Sequence, residues 1–135
     1  MTEEMDRKMD EFLALDAFAV AGASTDREKY GNKVLRAYLQ NDRPVHPINP
    51  KADEVEGVPA VRDVGSLPDG VAGLSIVTPP RITHAVVEAA LARGIRHLWM
   101  QPGAEDDEAI DAAERAGASV IHGGPCVLVA LGYRE

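Results

Sequence analysis

Five short loops hold the residues of this chain whose types and spacing suit ligand chemistry: Gly22-Ala23-Ser24, Asn49-Pro50-Lys51, Thr78-Pro79-Pro80, Gln101-Pro102-Gly103 and Gly123-Gly124-Pro125. Each follows a short apolar run. Gly22 lets backbone approach a ligand closely, and a helix opening just beyond it would aim unpaired N–H groups at an anion such as a pyrophosphate. A merely tight turn would use the same glycine. Arg27, Lys29 and Lys33 lie in or just past this loop and form a small basic neighbourhood, although a solvated helix start reads the same way.

The dinucleotide fingerprint Gly-x-Gly-x-x-Gly is broken here, because Ser24 stands at its second glycine and the next glycine is Gly31. An NAD site also places Asp or Glu at the end of the second strand to hold the ribose hydroxyls, where this chain has Asn49, Pro50 and Lys51. A lysine there suits a phosphate on the ribose, which coenzyme A carries at the 3′ position and NADP at the 2′ position. Lys51 argues against NAD without choosing between those two, and taken alone it is also an ordinary solvated lysine.

Catalytic constellations are missing from the sequence. It has no Gly-x-x-x-x-Gly-Lys-Ser/Thr loop, no Gly-x-Ser-x-Gly elbow and no pair of carboxylates spaced to flank a cleft, so binding without catalysis is the default. His46, His84, His97 and His122 are scattered over different elements with no metal-ligand spacing. Cys126 reads as a small buried apolar residue, or more sharply as a thiol near the reactive end of a thiol cofactor, able to form a mixed disulfide with it. His122 stands close enough in sequence to activate that thiol, but glycines and a proline separate the two and no third group orients them.

The elements that must position these loops alternate along the chain. Residues 3–15 carry Met5, Met9, Phe12 and Leu13 at helical spacing and form an amphipathic opening helix. Residues 17–21 are a buried strand, followed by a helix with Val34, Leu35, Tyr38 and Leu39 inward that closes at Asn41-Asp42-Arg43-Pro44. Strands follow at 45–48, 74–77, 95–100 and 119–121, with helices at 83–93, where Thr83 is the expected N-cap, and at 106–116. Residues 53–73 read as an irregular crossover with a strand near Val58, and 127–131 as a short helix or extended segment. This alternation defines a doubly wound α/β sheet, mainly parallel, of about five to six strands with helices on both faces, whose ligands bind outside the carboxyl ends of the strands.

At 135 residues the chain is a single domain. Its 14 basic and 22 acidic side chains give a net charge of -8, which repels nucleic acid, and no apolar run approaches the length that spans a membrane. One cysteine excludes an internal disulfide and suits a reducing cytoplasm, and the acidic start is not a secretory signal. The expected partner is a small nucleotide-type ligand; a homo-oligomer is compatible with everything above.

Four segments, Val20-Ala21-Gly22-Ala23-Ser24, Lys29-Tyr30-Gly31-Asn32-Lys33-Val34, Pro47-Ile48-Asn49-Pro50-Lys51 and Trp99-Met100-Gln101-Pro102-Gly103, resemble the small stand-alone CoA-binding proteins. Those are similar in turn to the N-terminal domain of the succinyl-CoA synthetase α subunit. The likeness runs from about residue 16 to about residue 131. It implies a Rossmann-like domain binding coenzyme A or an acyl-CoA, with Gly22, Ala23 and Ser24 at the pyrophosphate, Asn49, Pro50 and Lys51 at the ribose phosphate, and Val77, Thr78 and Pro79 bordering the adenine. Arg27, Lys29, Gln101, Pro102 and Gly103 complete the expected site. The synthetase's phosphorylated histidine belongs to a second domain that this chain has no counterpart for, so ligase activity is not implied. The alternatives are an NADP-binding protein and a CoA-binding subunit of a larger acyl-CoA ligase.

Overall fold

Five short strands, each nearly or wholly apolar, stack into one parallel sheet because both of their faces are covered. They are β1 (Phe18–Ala21), β2 (Val45–Ile48), β5 (Gly73–Ile76), β6 (His97–Met100) and β7 (Ser119–Ile121), in the order β2-β1-β5-β6-β7. The computed structural model describes residues 2–135.

Side chains alternate across the sheet as the strand pleat requires. Phe18, Val20, Trp99 and Ile121 face one layer, formed by α1 (Glu3–Leu13), α2 (Tyr30–Gln40) and α5 (Val127–Ala130); Ala19, Ala21, Leu98 and Met100 face the other, formed by α3 (Pro80–Ala92) and α4 (Asp107–Arg115). The aromatic side is knit by Phe12 edge-on to Trp99 at 5.3 Å and Phe18 stacked on Tyr38 at 4.9 Å. Tyr38 is fully buried, and its hydroxyl meets the equally buried Ser75 Oγ at 2.6 Å, so each satisfies the other inside the core.

The crossover between β2 and β5 is more ordered than its sequence suggests. β3 (Glu54–Val55) and β4 (Val58–Pro59) form an antiparallel hairpin whose turn residues, Glu56 and Gly57, both have positive φ, of 52° and 78°. Val61 then bridges in parallel to Ile48, exchanging hydrogen bonds with Asn49 and Pro47. This rudimentary strand restores the edge that a dinucleotide-type sheet would have beyond β2. It also explains Pro47 within a strand: the proline's backbone oxygen accepts from Val61 on the outer side, so its missing N–H is not needed by β1.

One helix start differs from expectation. Thr83 was the expected N-cap, but α3 begins at Pro80 with Pro79 at the cap, because a proline at the first position of a helix loses no hydrogen bond that the helix would otherwise make. Thr83 is instead fully buried one turn in.

Candidate functional site

β1 and β5 are neighbours whose connections leave in opposite directions, one toward β2 and the other toward β6 and β7. The crevice above this switch is where open α/β sheets bind ligands. All five expected loops lie along that carboxyl edge, and polar side chains tie each to another.

Gly22 has φ of +90°, and a Cβ there would sit 2.9 Å from the backbone carbonyl of Val77. The first and third loops thus touch through backbone alone. Gly31, in the first turn of α2, comes closer still: a Cβ would lie 1.9 Å from Gly22 O. It performs the packing task of the last glycine of the dinucleotide fingerprint, nine positions after Gly22 instead of five. The loop between them holds itself by short turns, Ser24 Oγ accepting from Asp26 N and Asp26 Oδ1 accepting from Glu28 N.

Asn32, buried in α2, is the hub beneath this loop. Its amide nitrogen donates to Ser24 O at 2.8 Å and to Glu56 Oε2 at 3.1 Å, while its oxygen accepts from Arg36 Nε at 2.7 Å. Arg36 in turn donates to Arg27 O. Asn49 clamps the second loop to the first: its amide donates to Ala23 O at 3.0 Å, and its oxygen accepts from the backbone N–H groups of Lys51 and Ala52.

The cations divide into two groups. Arg27 is paired with Glu56 at 2.8 Å and Lys33 with Glu135 at 2.8 Å. The Lys33 ammonium is held above its ordinary range by that carboxylate, which is itself held below its own. Lys29, at the N-cap of α2, and Lys51 are exposed, and no carboxylate of the described residues is paired with either. The start of α2 has no side-chain cap, which leaves its first N–H groups for another acceptor.

On the other side of the switch, Thr78 Oγ1 lies 2.8 Å from Thr83 Oγ1, which donates to Ala104 O at 2.7 Å. Donation therefore runs from Thr78 through Thr83 to the fourth loop. Gln101 is fully buried; its N–H bonds Ile76 O, and its Oε1 accepts from Val127 N at 2.9 Å and from the Tyr30 hydroxyl at 3.3 Å. Its Nε2 is buried without an acceptor. Trp99 Nε1 donates to Pro125 O at 3.1 Å, fastening the fifth loop.

A cavity of about 230 Å³ opens among Tyr30, Val77, Thr78, Pro79, Pro102, Gly103 and Ala104. Five of these were expected from sequence; Tyr30 and Ala104 were not. The Tyr30 hydroxyl also meets Cys126 Sγ at 2.7 Å. Partial burial, then the thiol contact, raise the Tyr30 phenol well above its usual range, so it stays protonated. Cys126 is half-buried and lines a second cavity, so it is not the buried apolar filler that its residue type suggests. Its polar partner is Tyr30; no hydrogen bond joins it to His122.

The residues that sequence reasoning left without a role are Tyr30, Gly31, Asn32, Arg36, Glu56 and Ala104. Three of them stand in the Lys29-Tyr30-Gly31-Asn32-Lys33-Val34 segment, which was a signal; Glu56, on a hairpin tip, had none.

Parallel strands with a glycine turn, a helix start and a lysine loop gathered at one switch point define a nucleotide-binding domain of Rossmann-like class. A family model described as "CoA binding domain" matches residues 16–132, and the chain belongs to that family. It is 26% identical to the acetate–CoA ligase (ADP-forming) I of Archaeoglobus fulgidus, over 76% of this chain and 16% of that protein. It is 27% identical to the α subunit of acetate–CoA ligase (ADP-forming) II of Pyrococcus furiosus, over 88% of this chain and 28% of that one. The chain thus spans less than a third of the length of either ligase. A solved structure of a conserved hypothetical protein from Pyrococcus furiosus superposes with a TM-score of 0.82 at 37% identity, over 86% of this chain and 99% of its own.

Proposed function

We propose that this chain binds coenzyme A or an acyl-CoA as a non-catalytic module, one that senses the cofactor or presents it to a partner. The observation that carries this reading is the pair of exposed cations, Lys29 and Lys51, on the two loops that Asn49 holds together beside the uncapped start of α2. One loop suits a pyrophosphate and the other a ribose phosphate, and the described residues hold no cluster of His, Cys, Asp or Glu fit for a metal. The fit favours a phosphate-bearing ribose over the bare diol of NAD. Gly22, Ala23 and Ser24 would meet the pyrophosphate, Lys51 the 3′-phosphate, and Val77, Thr78 and Pro79 the adenine side of the crevice, with Gln101, Pro102 and Gly103 along its far wall.

Calorimetric titration with CoA, 3′-dephospho-CoA, NADP and NAD tests the assignment. CoA is expected to bind tightest, and Lys51→Ala to weaken CoA by about tenfold, one charge-assisted hydrogen bond, while leaving dephospho-CoA nearly unaffected. Tighter binding of NADP than of CoA overturns the reading. The short span against the two ligases favours a second reading, a CoA-binding subunit of a larger assembly. Copurification of a larger chain would support it; isolation of a CoA-competent homo-oligomer would not.

A further inference from the structure

Asp42 and Glu56 are the described non-glycine residues with positive φ, and only Asp42 is of a type that the left-handed region commonly accepts. Glu56, at φ of 52°, precedes Gly57 at the tip of the β3–β4 hairpin. Such turns favour Asn, Asp or Gly, because a Cβ crowds the backbone there and a short polar side chain can offset the cost locally. The Glu56 carboxylate instead reaches out of the turn, accepting from Arg27 Nη1 at 2.8 Å and from Asn32 Nδ2 at 3.1 Å. Backbone strain of this kind persists only where other contacts hold it, and it gathers at functional sites.

Both donors serve the first loop. Asn32 Nδ2 also donates to Ser24 O, and Arg36, bonded to Asn32 Oδ1, donates to Arg27 O. The chain that follows β2 therefore grips this loop at two points, Asn49 at Ala23 O and Glu56 at the Arg27 side chain. Burial of the ion pair is lopsided: the Glu56 side chain is 17% exposed and that of Arg27 62%, so the acid is sunk against α2 and the guanidinium stands outside. As a charge, an acid beside a loop that receives an anion opposes binding. It favours binding only by holding the loop in shape beforehand.

We infer that Glu56 is a positioning residue for the ligand's diphosphate: the β3–β4 hairpin carries its carboxylate under the first loop as a strut, and a residue that strains the turn keeps the loop preformed. The inference rests on the coenzyme A reading and deepens it by adding a residue that touches no ligand. Its consequence is that stability and affinity respond differently to a change at Glu56.

The experiment is calorimetric titration of the wild type, Glu56→Asn and Glu56→Gln with CoA and 3′-dephospho-CoA, beside urea unfolding of each protein without ligand. Asparagine suits the turn, carries no charge and is too short to span both donors. It is expected to leave the urea midpoint no lower than that of the wild type while weakening both ligands alike by about tenfold, the effect of one charge-assisted hydrogen bond. Equal weakening separates Glu56 from Lys51, whose loss acts through the 3′-phosphate. Glutamine keeps the reach of glutamate and one acceptor oxygen, so its affinity is expected to lie between the two. If Glu56→Asn binds CoA as tightly as the wild type or tighter, Glu56 acts only as a charge, and the inference is wrong while the coenzyme A reading stands. If affinity and urea midpoint fall together, the hairpin merely supports the fold and the inference is overturned. A loss for CoA that spares 3′-dephospho-CoA overturns it as well, because Glu56 would then act at the ribose phosphate. If the wild type binds neither ligand, both readings fall.

Discussion

Replacing Gly31 by alanine tests whether the close approach of α2 to the first loop builds the site. The added methyl would sit 1.9 Å from Gly22 O, where real contacts of this kind stay beyond 3.0 Å, so helix or loop must retreat by about 1 Å. The obstacle is backbone, which no side-chain rotation relieves. Gly31 also lies within α2, where alanine is the better helix former by up to about 1 kcal/mol. Two effects of opposite sign compete, and overpacking of a fitted site costs typically about 1–3 kcal/mol. The steric term should win, with a net loss of about 1–2 kcal/mol in urea unfolding and a larger loss in ligand affinity, since the displaced group is the loop itself. Gly65→Ala, whose added methyl would meet only Asp63 Oδ1 at an ordinary 3.6 Å, is the matched control for an alanine replacing a glycine. A Gly31→Ala protein as stable as wild type, binding CoA with wild-type affinity, would refute the reasoning, because it would show that the loop does not depend on this contact.

Two further outcomes concern the core and its phenols. Tyr38→Phe leaves Ser75 Oγ buried without its partner and is expected to cost about 1–3 kcal/mol, with much of the loss recovered when Ser75→Ala is added; a double variant no better than the single would show that the hydroxyl pair is not the source. Burial holds the Tyr30 and Tyr38 phenols above their usual range, in Tyr30 with help from the Cys126 contact. A raised folded value means that the stabilisation is complete below about pH 10, the unfolded value, and is lost as pH rises toward the folded one. Urea midpoints should therefore fall above pH 10, with phenolate absorbance from these two residues appearing only on unfolding; ionisation of both near pH 10 in the folded chain, assigned with single Phe variants, would contradict this.

Much of the architecture could be read along the chain. Apolar runs ending at Gly22, Asn49 and Gln101 marked buried strands, and apolar residues at helical spacing marked α1 and α2, because local burial patterns repeat with the period of the element that carries them. The β3–β4 hairpin escaped because its turn is Glu56-Gly57, not the Asn-Gly or Asp-Gly that positive φ normally selects. Glu56 occupies that conformation while its carboxylate accepts from both Arg27 and Asn32, a tertiary arrangement with no local trace. Thr83 showed the converse: it has the residue type of a cap, and the preceding prolines moved the helix start past it.

By itself the sequence determined an α/β fold with strand-end loops at a single edge, and that a lysine, not an acid, follows the second strand. Those properties depend on residue type and short-range order, which the chain carries wherever it folds. Only the tertiary structure decided that Gly31 stands in for the fingerprint's last glycine, that Arg27 and Lys33 are engaged by carboxylates while Lys29 and Lys51 are not, and that Tyr30 and Cys126 meet. Each joins residues that are distant along the chain or on separate elements, and the spacing that matters between them is set by how α2 and α5 pack on the sheet, a distance that no local pattern encodes.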